Sequence, residues 1–171
     1  MTFAARPSGT ARARLLFELV RAAHFRSTAG MSNPGKRIPF TISPRALIRN
    51  PEGLWLFIRR SDTSQHWAGQ WEPPGGKMDA GESVDVTLER EVAEETGLKI
   101  SEMHAVGATE GAVETARFVV LVLETKVESG AVRLSDEHGE FMWVTRRDAA
   151  NLDLAPVYAD FIKQWSAAKE H

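Results

Sequence analysis

A mixed α/β domain is the fold class this sequence predicts, and three observations carry the prediction. Apolar runs of strand length, at residues 54–58 and 116–123, stand on either side of a capped, carboxylate-rich helical stretch between Ser83 and Gly97. A second helical pattern closes the chain, with Val157, Phe161, Ile162 and Trp165 on one face. Strands, helix, strands and helix in that order suit helices packed on a sheet. The 171 residues are enough for one domain with a sizeable core, and the 43% hydrophobic and 26% charged fractions are ordinary for a globular chain.

Composition also removes several function classes. The net charge of −2 gives no reason to expect binding to bulk nucleic acid. Without cysteine there is no disulfide framework, thiolate nucleophile or thiolate metal site, which suits a cytoplasmic protein. No apolar run approaches the roughly 20 residues of a membrane span. The charge is unevenly spread, however. Residues 1–40 hold seven Arg and Lys against Glu18 alone, a net of +6, so the remainder carries −8.

Residues 1–36 read as a basic extension and residues 37–171 as the folded domain. The leader is rich in Ala, Arg, Ser and Thr, and Glu18 interrupts its apolar run, against a secretory signal. An Arg-rich, acid-poor leader also suits organelle targeting. We favour a flexible extension, or a start at Met31. From Ile38 the pattern turns to β. Residues 40–43 and 46–49 read as two short strands with Pro44 favouring a break or an edge. Asn50-Pro51-Glu52-Gly53 is a turn by its chemistry, and residues 54–58 follow as a buried strand ending at Arg59 and Arg60.

Next comes the stretch that carries the chemistry. Pro73-Pro74-Gly75-Gly76 makes a turn, and the helix runs between Ser83 as N-cap and Gly97 as the C′ residue. Val84, Leu88 and Val92 form its apolar stripe at i, i+4 and i+8. Glu91 and Glu94 flank that stripe and Glu95 projects between the directions of Val84 and Leu88. Acids crowding a buried edge repel one another and are costly to desolvate without a counter-charge. A hard divalent cation with oxygen ligands supplies one, and Mg²⁺ commonly shares its shell with phosphates and water.

After this helix, residues 99–106 and 116–123 read as strands, the second suited to a sheet covered on both faces. An acidic loop, Asp136-Glu137-His138-Gly139-Glu140, leads into the strand around Trp143. Mg²⁺ prefers oxygen, so His138 reads as a loop residue rather than a ligand. Thr145 caps a short helix through Ala150, and residues 156–168 form the final helix.

The fixed positions of the central stretch make a motif. Gly76, five residues, Glu82, seven residues, Arg90-Glu91-Val92, one residue, Glu94-Glu95, one residue, Gly97-Leu98 fills all nine defining positions of the Nudix box, which the chain therefore resembles. Residues 48–60 and Trp71-Glu72-Pro73-Pro74-Gly75-Gly76-Lys77 further resemble the MutT-type branch. The resemblance implies an α/β/α sandwich around a mixed sheet and a Mg²⁺-dependent pyrophosphohydrolase, with Mn²⁺ as an alternative ion. Its substrate is a small nucleotide, a nucleoside diphosphate linked to another group, and foremost a nucleoside triphosphate cut to monophosphate and pyrophosphate. The alternatives are an ADP-ribose or nucleotide-sugar pyrophosphatase, or a catalytically silent nucleotide sensor.

By the same resemblance, Glu94 and Glu95 are metal ligands, and Glu91 is a ligand or the general base. Glu137, six residues before Trp143, completes the metal and catalytic cluster and is the other candidate base, with Glu140 as its substitute. The Gly76 carbonyl adds to the metal shell. Arg90 orients the glutamates, Glu82 ties the turn, and Arg59 or Arg60 together with Lys77 lie near the phosphates. The asparagine that marks preference for oxidised guanine is replaced by Leu154, with Asn151 off register. The proline and tyrosine that mark ADP-ribose and dinucleoside-polyphosphate enzymes are missing near Val113. Oligomeric state is not legible.

Overall fold

The computed structural model describes residues 40–113 and 116–168. The basic leader and Met31 lie outside them. Six strands form one mixed sheet: β1 (Phe40–Arg49), β2 (Trp55–Arg60), β3 (Trp71–Glu72), β4 (Lys99–Val113), β5 (Ala116–Ser129) and β6 (His138–Val144). Helix α1 (Val84–Thr96) lies between β3 and β4, and a 3₁₀ turn (Asp148–Asn151) and helix α2 (Pro156–Ala167) follow β6.

Alternation along the strands sorts the side chains onto two faces. Leu47, Trp55, Phe57, Val120, Val122 and Val144 pack with Tyr158, Ile162 and Trp165 of α2. Ala46, Ile48, Leu56, Ile58 and Leu123 pack with Leu88 and Val92 of α1. The domain is thus a helix–sheet–helix sandwich, as the element order and the motif imply.

Several strands are longer than the sequence suggests. β1 runs unbroken through Pro44, in parallel register with β5 from Phe40↔Arg117 to Arg49↔Lys126. The physical reason is parity. The Ala46 N–H and the Ile42 carbonyl both point away from β5, to Pro74 and Met78. Pro44 shares that parity, so its missing N–H falls on the side where β1 borders a loop, and the β5 ladder is untouched. β4 and β5 pair as a long antiparallel hairpin with register shifts, extending well past residues 106 and 123. His138 opens β6 and is buried, which corrects its reading as a loop residue. The Thr145 hydroxyl accepts the Asp148 N–H at 3.1 Å, but the segment expected to be a helix capped by Thr145 is one 3₁₀ turn (Asp148–Asn151) whose N-cap is Arg147, without a side-chain cap bond.

The site is created by a splay in the sheet. β1 and β2 share the pair Arg49↔Trp55 and then diverge. Residues 71–78 fill the gap as a wedge: β3 pairs with Ile58 and Arg59 of β2, while Pro74 and Met78 bond to β1. On its far edge β2 pairs with β6 over its whole length.

Candidate active site

Helix α1 begins where Ser83 caps it, accepting the Val86 N–H at 3.4 Å, and ends at Gly97 with φ +69°. Its acidic residues are organised by Arg90. That guanidinium donates to Glu82 through Nε and Nη2 at 3.0 Å each, to Glu91 at 2.9 Å and to Glu94 at 3.3 Å. Glu82 also accepts from the Thr87 hydroxyl at 2.8 Å and the Asp79 N–H at 3.3 Å, which ties the loop before the helix to its first turn. The hydrogen bonds from Arg90, and then from Thr87, hold the Glu82 carboxyl at about 2.

Glu95 leaves this surface array and turns inward. Its Oε2 accepts the Gly75 N–H at 2.7 Å, and only 8% of the residue is exposed. Burial pushes its carboxyl up to about 7, against the opposing pull of Arg45 and the Gly75 N–H. The wedge must pass very close to β1 to make this contact. A Cβ on Gly75, whose φ is +131°, would lie 2.4 Å from the Pro44 carbonyl oxygen. One on Gly76 would lie 2.3 Å from the Glu91 carboxyl carbon. The paired glycines therefore let the chain reach Glu95 on one side and seat Glu91 on the other. The Gly76 carbonyl accepts from the Ser43 hydroxyl at 3.1 Å.

Behind Glu95 lies a buried charge network. Glu72 is fully buried, and its Oε1 accepts from Arg60 at 2.7 Å and lies 3.3 Å from His138 Nε2 and 3.8 Å from Arg45. Burial alone pushes the Glu72 carboxyl up. Arg45, the His138 hydrogen bond and Arg60 together outweigh it and hold the group at about 2. Arg45 lies 5.4 Å from the Tyr158 ring centroid and donates to the Pro73 carbonyl at 3.4 Å. Burial raises the Tyr158 phenol above its ordinary value. Glu72 Oε2, His138 Nδ1 and Arg45 Nε are buried without a hydrogen-bond partner. Ligand atoms of Glu72, Glu95 and His138 lie within 4.8 Å of one another and could hold a metal ion.

The structure thus brings Arg90, Glu91 and Glu94 together at the helix surface and Glu95 beneath them. Of the three acids expected at the buried edge, Glu95 is buried and Glu91 partly so, whereas the Glu94 side chain is 61% exposed. The two arginines that end β2 diverge. Arg60 joins the buried network, while Arg59 bonds to the Gly69 carbonyl, Asp62 and Glu140. Lys77 and Glu137 are exposed, and the Glu137 backbone is pinned by the Ser61 N–H at 2.9 Å. Leu154 is buried beside Trp71, and Asn151 ends the 3₁₀ turn. Sequence reasoning missed Arg45, Glu72, His138 and Tyr158. One signal was available: Arg45 sits between Pro44 and the apolar run Ala46-Leu47-Ile48, so an arginine there demands a buried counter-charge.

The structure is a helix–sheet–helix sandwich with a glycine wedge and a glutamate helix at the splay between β1 and β2, and comparison with known proteins places it. The family model of the NUDIX domain matches residues 39–165, and the chain belongs to that family. Membership makes it a hydrolase acting on phosphoric anhydride bonds of small nucleotide substrates. A MutT-like protein of Streptomyces ambofaciens is 32% identical over 119 residues, 70% of this chain and 72% of that protein. The nucleoside triphosphatase NudI of Escherichia fergusonii is 26% identical over 63% of this chain and 84% of its own. The crystal structure of the MutT protein from Methanosarcina mazei Go1 superposes with a TM-score of 0.67 at 33% identity, covering 76% of this chain and 95% of that one. Nudix enzymes generally use a divalent metal.

Proposed function

We propose that this chain is a Mg²⁺-dependent nucleoside triphosphate pyrophosphohydrolase, releasing a nucleoside monophosphate and pyrophosphate. The observation that carries the reading is the pairing of Glu95 with the Gly75 N–H beneath the Arg90–Glu91–Glu94 array. Acidic side chains of one helix, Glu91 and Glu94 held by Arg90 and Glu95 turned inward to the Gly75 N–H, offer the oxygen ligands that suit a hard cation. Glu91, Glu94 and Glu95 would hold it, with the Gly76 carbonyl and Glu137 as further oxygen donors. Mn²⁺ would serve as a substitute. When bound, the ion supplies charge neutralisation for the phosphates and a more acidic water.

The remaining work falls to side chains of the protein. Arg90 fixes the carboxylates in place. Either Glu91 or Glu137 takes the proton of the attacking water. Arg59 or Arg60, together with Lys77, faces the phosphates; each arginine also holds acidic partners, Asp62 and Glu140 for Arg59 and Glu72 for Arg60. The triphosphate preference is supported by the NudI relative, which is named a nucleoside triphosphatase. No helix among the described residues is long and apolar enough to cross a membrane. We place the enzyme in the cytoplasm, with residues 37–171 as its hydrolase domain, residues 1–36 as a basic extension, and no partner in bulk nucleic acid or membrane.

The test is pyrophosphate and phosphate release from normal and oxidised nucleoside triphosphates, ADP-ribose, nucleotide sugars and dinucleoside polyphosphates, with and without Mg²⁺. Metal-dependent pyrophosphate release from a triphosphate is the expected result. Turnover of ADP-ribose or a nucleotide sugar alone would overturn the substrate, and silence with nucleotide binding intact would overturn catalysis.

A further inference from the structure

We propose that His138 is a positioning residue that fixes the Glu95 carboxylate for metal binding by donating from Nε2 between Glu95 and Glu72. This inference rests on the metal reading above. The imidazole is fully buried, with Nε2 3.3 Å from Glu72 Oε1 and 3.9 Å from Glu95 Oε1. Both neighbours are acceptors when ionised, so an Nε2 proton stands between two buried carboxylates that the Arg45 guanidinium also serves.

The turn that carries His138 is held by three backbone hydrogen bonds. The His138 N–H donates to the Ser135 carbonyl at 3.1 Å. Ser135 in turn donates to the Glu95 carbonyl at 3.2 Å, which ties the turn to the end of α1. Ser61 donates to the Glu137 carbonyl, which ties it to the end of β2. On Glu95, Oε2 accepts the Gly75 N–H at 2.7 Å, while Oε1 faces His138 Nε2 at 3.9 Å, an electrostatic approach longer than a hydrogen bond. Carboxylate orientation is what an outer hydrogen-bond partner contributes to a metal site.

His138 and Glu72 could themselves be read as ligands, since their atoms cluster with Glu95. The surroundings argue for the scaffold role instead. Glu72 Oε1 already receives Arg60 at 2.7 Å and faces Arg45 at 3.8 Å, so an ion there would sit against two guanidinium groups.

The experiment is Mn²⁺ titration of the full chain by calorimetry, alongside steady-state kinetics and thermal melts. The variants are His138→Phe, His138→Gln and His138→Asn, with Glu95→Gln as the control. His138→Phe is expected to weaken Mn²⁺ binding by about 10- to 100-fold. At saturating metal its loss should appear in kcat, with the nucleotide KM within about twofold of the parent. His138→Gln, which keeps a donor at similar reach, should recover most of the affinity. If His138→Phe fails to fold, the Gln and Asn variants decide, since the shorter Asn donor should bind Mn²⁺ more weakly than Gln. Parental Mn²⁺ affinity in His138→Phe, or Gln no better than Phe or Asn, overturns the positioning role while leaving the metal site intact. An unaltered chain that binds no Mn²⁺, or a Glu95→Gln variant that binds it equally well, overturns the metal reading itself.

Discussion

Arg45 is an arginine in the middle of a buried strand, and the residues around it show how charge is managed in this core. Its partner Glu72 is fully buried, and Arg60 and His138 share the same carboxylate. Removing one member of such a network strands the others, at a cost of about 3–5 kcal/mol. Glu72→Leu is therefore expected to lower stability by that order in a denaturant titration, far more than a surface glutamate would. The two buried acids also act in opposite senses with pH. Glu72 sits at about 2, below its ordinary 4.5, so its contribution is complete above about 4.5 and is lost as pH falls towards 2. Glu95 is raised from 4.5 to about 7, so its contribution is complete below about 4.5 and is lost as pH rises through 7. Metal-free protein should thus melt at lower temperature at pH 8 than at pH 5. Mg²⁺ should reverse that fall by taking the place of the proton. Glu95→Gln should flatten the alkaline side of the profile and lower kcat by more than tenfold, about 1.4 kcal/mol or more of transition-state stabilisation.

At the scale of elements, α1 and the wedge work as one unit, and the glycines are where they meet. Gly76→Ala would press a methyl group into the Glu91 carboxyl, which is the far end of a flexible side chain. The expected outcome is a folded protein with a near-normal melting temperature and kcat down by about tenfold or more, because a misplacement near 1 Å can cost about 10²-fold. Gly75→Ala meets backbone instead, the Pro44 carbonyl, and should lose stability as well as activity. Much of this unit was legible. The caps, the Val84–Leu88–Val92 stripe and the inward turn of Glu95 all follow from helical periodicity, and the box positions named the carboxylates. What the sequence concealed depended on neighbours distant in the chain. Glu72 reads as one acid in a proline-glycine loop until β2 and β6 bring Arg60 and His138 to it. Pro44 reads as a break until the loop at 74–78 is seen to occupy the side its nitrogen faces.

Across the whole molecule, the sheet separates two cores that share strands but not side chains. Leu88 and Ile162 are both fully buried, one on the α1 face and one on the α2 face. Leu88→Ala and Ile162→Ala should each cost about 2–5 kcal/mol, and the double variant should show the sum within about 0.5 kcal/mol. A larger departure in the chemical-denaturation cycle would mean that the sheet transmits strain between its faces. The parallel pairing of β1 with β5 has a different kind of consequence. Phe40 lies beside Arg117, and between them the chain makes β2, the wedge, α1 and β4. A nascent chain that has just completed the box helix therefore has every motif glutamate but no β5 to close the sheet and no His138 to back Glu95. At about 5–20 residues per second, seconds pass on the ribosome with an acidic helix and no site to put it in. The enzyme comes into being only when its last third arrives.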